Sequence, residues 1–258
     1  MSRIYDALKR AEGQTRPVPV VSASVDGPPA PVAAWDVDDE ARLEYERLQV
    51  WITNPAPHSP PRQAIMVVSC QRGNGATTTA AGLAVTLAQR PAARVLIVDA
   101  NLRTPGLHQL FGARGRQGFR ELLDKGDGSG DYVQATAQPN LFVMTTGRIS
   151  GSPLEAFAPS DLGRLVAQLK SRFDFILFDA APLLEFPDAY ALAPHVDAVL
   201  LVVEADRTLV DDARRAMREL DRSGVEGTGV VLNRQRDYTP RLLRRTLSRA
   251  NGGRTSHA

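Results

Sequence analysis

The stretch IMVVSCQRGNGATTT, residues 65–79, decides the fold. An apolar run, Ile65–Cys70, passes through a turn holding Gly73 and Gly75 into a helix that opens on Thr77 and Thr78. A strand, a glycine-containing turn and a helix starting on threonine is the layout of a phosphate-binding loop. Gly73 and Gly75 let backbone N–H groups turn inward, and the helix N-terminus adds partial positive charge for an anion. Thr77 stands where such a loop places its Mg²⁺-binding hydroxyl. The lysine position holds Ala76, so the strict motif fails. From this segment alone, an ordinary strand–helix turn reads as well.

Outward from the loop, apolar runs recur at Val95–Val98, Leu141–Thr145, Phe175–Phe178, Ala198–Val203 and Gly229–Leu232. Helical patterns fall between most of them, near 77–90, 160–172 and 207–223. Continuous apolar strands separated by helices predict an α/β fold, a mostly parallel sheet covered by helices on both faces. Ligands of such folds bind at the carboxyl ends of strands. Two runs end there on acids: Asp99 in VLIVDANLRTPGLHQLF (95–111) and Asp179 in FDFILFDAAP (173–182). Mg²⁺ takes oxygen ligands, so Thr77, Asp99 and Asp179 form the candidate metal set.

The remainder bounds the function. The 258 residues fit one α/β domain with tails, and 43% hydrophobic with 23% charged residues is a soluble composition. No run of 18 apolar residues is present, and MSRIYDALKRAEG lacks the apolar stretch of a secretory signal. The single cysteine, Cys70, suits a reducing cytoplasm. A net charge of +2 gives no reason to expect specific nucleic-acid binding. Residues 1–12 read as a short amphipathic helix with Ile4, Leu8 and Ala11 on one stripe. Residues 13–40, with five prolines, read as a flexible, disordered linker. A further helical pattern covers 38–53, and the α/β domain spans 41–233. The tail, 234–258, carries seven arginines.

Three segments together resemble the bacterial tyrosine autokinases of exopolysaccharide and capsule synthesis, of the CpsD/CapB type. These are relatives of the deviant P-loop ATPases of the MinD/ParA superfamily. The segments are SCQRGNGATT, VLIVDANLRTPGLHQLF and FDFILFDAAPLLEFPDA; the late GVVLN strand also matches. The opening SRIYDALKRAE resembles versions found with exosortase/PEP-CTERM systems. The resemblance implies a P-loop NTPase fold, with ATP or ADP and Mg²⁺ as cofactors. It implies that Gly73, Asn74, Gly75, Thr77 and Thr78 hold nucleotide and that Asn233 contacts adenine. It makes Asp99, Asp179 and Arg103 the catalytic residues. It also implies a partner, the cytoplasmic segment of a membrane polysaccharide co-polymerase or chain-length regulator, with the protein peripheral at the inner membrane and a homo-oligomer in view.

The departures from the family pattern matter as much. Ala76 replaces the phosphate-binding lysine and Asn101 replaces the second aspartate. The oligomerisation motif E-x-x-R-x-x-R stands as Glu44, Arg47 and Val50, and the C-terminal tyrosine cluster is missing, leaving Tyr238. Losing one preorganised charge-stabilising donor slows chemistry about 10²–10³-fold. Arg72, where the family has proline, is a candidate substitute for the lysine. The expected function is therefore a catalytically impaired regulatory or scaffolding subunit. The alternatives are an active tyrosine kinase or ATPase of the same pathway, and a MinD/ParA-like positioning ATPase.

Overall fold

Five of the seven strands are continuous apolar runs because helices cover both their faces, whereas the edge strand Gly227–Asn233 leaves Val230 and Leu232 more than half exposed. A computed structural model describes residues 39–55, 60–113, 117–125, 132–148, 151–157, 162–225 and 227–235. The expected helix 1–12, nearly all of the linker 13–40 and most of the tail 234–258 lie outside these described residues. The chain order is α1 (Asp39–Thr53), β1 (Ala64–Ser69), α2 (Ala76–Ala88), β2 (Val95–Asp99), α3 (Leu107–Phe111), α4 (Phe119–Lys125), β3 (Gln134–Ala135) and β4 (Leu141–Met144). Then follow α5 (Pro153–Ala156), α6 (Leu162–Lys170), β5 (Phe175–Asp179), α7 (Asp188–Leu192), a single 3₁₀ turn (Ala193–His195), β6 (Ala198–Glu204), α8 (Val210–Arg222) and β7 (Gly227–Asn233).

The strands form one sheet in the order β3-β4-β2-β5-β1-β6-β7. Every neighbouring pair is parallel except β3 with β4. All residues of β1 and β2 are buried. Along them, odd and even positions serve different cores. Ile65, Val67 and Ile97 pack with Leu83 and Leu87 of α2. Met66, Val68, Leu96 and Val98 pack with Phe119 of α4, Leu165 of α6 and Leu220 of α8. Each such fully buried side chain contributes roughly 1.5–3 kcal/mol. α1 seats on α2 by laying the Tyr45 ring over Gly82.

This three-layer frame has one functional consequence. β1, β2, β5, β6 and β7 run the same way, so their carboxyl ends meet along one edge.

Candidate functional site

The loop leaves β1 at Ser69 and reaches α2 through two left-handed residues, Gly73 (φ 86°) and Gly75 (φ 94°). Successive backbone N–H groups in such a turn form an anion-binding concavity. Gly75 caps α2 with no side chain on the helix end, and the Thr79 N–H bonding to the Gly75 carbonyl at 2.9 Å opens the helical ladder. The N–H groups of that first turn have no intrahelical partner. At Gly75 a Cβ would stand 2.1 Å from Asn233 Nδ2, so only glycine fits under the end of β7.

The loop is braced from several distant segments. Asn74 is fully buried; its Oδ1 accepts from the Gln71 N–H at 3.0 Å and its Nδ2 donates to Glu204 at 3.4 Å. Asn233 Nδ2 donates to the Asn74 carbonyl at 2.8 Å, so its amide holds the loop. Glu185 accepts the Arg72 N–H at 2.6 Å, and Asp212 accepts from the Gln71 amide at 3.1 Å. Ala76 is buried at the first position of α2, Thr77 is half-buried and Thr78 is exposed. Cys70 is buried at the loop entrance, and burial, then Asp212, push its thiol up to about 11.

Asp99 and Asp179 end β2 and β5 as register partners, so the two carboxylates stand side by side. Asp99 Oδ2 accepts the Gly106 and Leu107 N–H groups, each at 3.0 Å, and its Oδ1 is buried without a partner. Both oxygens of Asp179 are buried without a partner. Burial raises Asp99 to about 6, outweighing those N–H bonds. Burial and then the Asp99 charge hold Asp179 well above the usual carboxylate range; the nearby Thr77 hydroxyl pulls the other way without a completed hydrogen bond. Three orphaned carboxylate oxygens beside a threonine hydroxyl are a hard-oxygen donor set, which fits Mg²⁺.

The second motif folds onto the third. Asn101 is buried and accepts the Arg103 and Thr104 N–H groups at 3.3 and 3.0 Å, while its Nδ2 donates to Thr104 Oγ1 at 3.2 Å. Arg103 forms a two-point bond with buried Asp188, at 2.5 and 3.0 Å, and lies over the Phe186 ring at 4.3 Å. The structure therefore brings together Gly73, Asn74, Gly75, Thr77, Asp99, Asp179 and Asn233, and ties Arg103 to Asp188 instead of leaving its guanidinium free. Glu204 and Asp212 belong to none of the sequence motifs, and Glu185 falls inside the third segment, FDFILFDAAPLLEFPDA. Their part is set by strand order, which brings three remote segments to the loop.

A parallel sheet, a glycine loop opening a helix and two strand-end aspartates define a P-loop NTPase-type α/β protein. No family model matches the chain. The tyrosine-protein kinase YwqD of Bacillus subtilis is 31% identical over 193 residues, 74% of this chain and 81% of that protein. The solved VpsO kinase domain superposes with a TM-score of 0.68 at 30% identity, covering 76% of this chain and 95% of that one. MinD of Pyrococcus horikoshii, solved in complex with Mg-ADP, shares the fold with a TM-score of 0.56 at 23% identity, over 72% of this chain and 76% of that one. The chain belongs to the bacterial tyrosine-protein kinase family.

Proposed function

We propose that this protein is a kinase-like regulator of exopolysaccharide or capsule production. It binds ATP or ADP with Mg²⁺ weakly, transfers phosphate at near-background rate, and acts as a regulatory or scaffolding subunit. The observation that carries this reading is Ala76, a buried methyl at the lysine position, in a site whose loop and paired aspartates are otherwise assembled.

The backbone of Gly73–Thr77 and the N-terminus of α2 would hold the phosphates, with Thr78 at the loop's exposed margin. Thr77, Asp99 and Asp179 would hold Mg²⁺, which when bound neutralises phosphate charge. Arg103 is a positioning residue: its bond to Asp188 fixes the loop after β2 against the loop after β5. Asn101 keeps that loop folded but has no charge with which to take a proton. The missing lysine would have made a charge-assisted bond worth roughly 1.5–3 kcal/mol.

The partner in this reading is the cytoplasmic part of a membrane polysaccharide co-polymerase, which brings the protein to the inner membrane. Among the described residues no helix is long and apolar enough to cross a membrane.

Calorimetry with Mg-ATP and a phosphate-release assay on the full chain test the proposal. Weak binding and near-background release are expected, and Ala76→Lys should tighten binding about tenfold or more. Robust hydrolysis by the unmodified chain that disappears in Asp179→Ala would overturn the impaired-enzyme reading.

A further inference from the structure

The fold lays a guanidinium on the phosphate loop from a segment outside all three motifs. β6 ends on Glu204, and the chain turns through Asp206, which adopts φ 60°. A non-glycine residue with positive φ is uncommon, and turns are where it occurs. This turn is closed twice, by the Thr208 N–H donating to the Glu204 carbonyl and by the Glu204 N–H donating to Thr208 Oγ1, both at 2.9 Å. It sends Arg207 back over the loop. Arg207 Nη1 lies 3.3 Å, and Nη2 3.8 Å, from where a Cβ on Gly73 would stand.

Glu204 holds the guanidinium there. Its Oε2 accepts from Arg207 Nη1 at 3.0 Å and from Asn74 Nδ2 at 3.4 Å, and its Oε1 accepts from Arg234 Nη1 at 2.9 Å. Two guanidiniums share one carboxylate, so these three side chains carry a net single positive charge, inside a rim whose carboxylates outnumber its guanidinium. Arg72, Glu185, Asp206 and Asp212 complete the charged rim. Glu185 and Asp212 are engaged by the Arg72 N–H and the Gln71 amide. Among the described residues the Arg72 side chain makes no hydrogen bond or ion pair, whereas Arg207 is aimed and anchored.

We propose that Arg207 supplies the cationic contact to the phosphates of a bound nucleoside triphosphate that Ala76 cannot, with Glu204 as the residue that positions it. The inference rests on the nucleotide-binding reading above. Guanidinium suits the task because its forked donors match phosphate oxygens in pairs. The Arg207 side chain is 57% exposed, so it moves from Glu204 onto an anion without opening the core.

Mg-ATP titrations of the full chain test this, with Arg207→Ala, Arg207→Lys, Arg72→Ala, Ala76→Lys and the double variant Ala76→Lys/Arg207→Ala. Arg207→Ala should weaken affinity about tenfold or more, and Arg207→Lys should recover part of the loss. Arg72→Ala should cost far less. With lysine restored at 76, removing Arg207 should also cost far less, because one cation already covers the phosphates. Thermal unfolding of the nucleotide-free Arg207→Ala protein should match the parent, confirming an intact fold. Unchanged affinity in Arg207→Ala, or a larger loss in Arg72→Ala, would overturn the inference. Binding by Ala76→Lys with none by the parent chain would overturn it too while leaving the nucleotide site standing. No binding by either would overturn the nucleotide reading itself.

Discussion

Asp99 and Asp179 stand side by side with three carboxylate oxygens buried and unpartnered. Two like charges in that position oppose each other, and burial penalises both. The folded state therefore holds protons that the unfolded chain releases at pH ~4. The sign follows from linkage: a carboxyl raised in the fold, Asp99 to about 6, favours folding below the unfolded value and loses that advantage as pH rises toward 6. Asp179 shifts in the same direction. The metal-free protein should thus lose stability between pH ~4 and about 6 on Asp99's account, with Asp179 adding a loss in the same direction. Mg²⁺ favours the ionised pair, so millimolar Mg²⁺ should raise the melting temperature at pH 7 more than at pH 5. In Asp179→Asn the Mg²⁺-dependent gain should vanish and the pH slope should shrink. Melting curves in Mg²⁺ and in chelator, across that range, measure both. A Mg²⁺ gain that survives Asp179→Asn would remove this aspartate from the metal set.

At the scale of elements, the seat of α1 on α2 rests on one missing side chain. A Cβ at Gly82 would lie 2.3 Å from Tyr45 Cζ and 2.6 Å from its hydroxyl. In an isolated helix Gly→Ala stabilises by about 1 kcal/mol. Here the ring would have to leave, breaking the 3.5 Å bond from Tyr45 Oη to the Thr78 carbonyl at the phosphate loop. Overpacking of this kind costs about 1–3 kcal/mol. Gly82→Ala should therefore be net destabilising, with faster amide exchange in α1 than in the sheet; a gain of stability would show that α1 is not seated this way. Neither residue announces this contact in the sequence, because they are far apart in the chain.

The same distance limit explains what the sequence reveals. Six strands fall within two residues of their expected ends: five because a strand buried on both faces is an unbroken apolar run, and the half-exposed β7 through its short GVVL run. β3 is missing from that reading because Gln134–Ala135 is two half-buried residues on an antiparallel edge. The helices α3, α4, α5 and α7 are four to seven residues long, too short to show a period. The loop and both aspartates were legible because each lies inside a contiguous motif. Arg207 read only as the start of a helical pattern, and its place over Gly73 appears once β6 is laid beside β1.

For the whole molecule, the tyrosines carry the last argument. A kinase that phosphorylates copies of itself must offer hydroxyls that leave its surface and reach a neighbour's nucleotide. The sequence has five tyrosines, and the cluster expected from the family resemblance is absent. Three lie among the described residues and all are committed to the fold. Tyr45 packs on Gly82 with its hydroxyl toward the Thr78 carbonyl, and burial raises its pKa. Tyr132 is 3% exposed. Tyr190 donates to the Leu183 carbonyl at 3.2 Å. Only Tyr5 and Tyr238 stand outside the described segments. Ala76 at the lysine position and three tyrosines held in the fold support the proposed output through binding. Intact-mass measurement and phosphopeptide mapping of the protein from its native cell should show no multiply phosphorylated tyrosine species, with Tyr45, Tyr132 and Tyr190 unmodified. Several phosphotyrosines that disappear in Asp179→Ala would mean that the chain phosphorylates itself, and that its partners read phosphate rather than the folded surface.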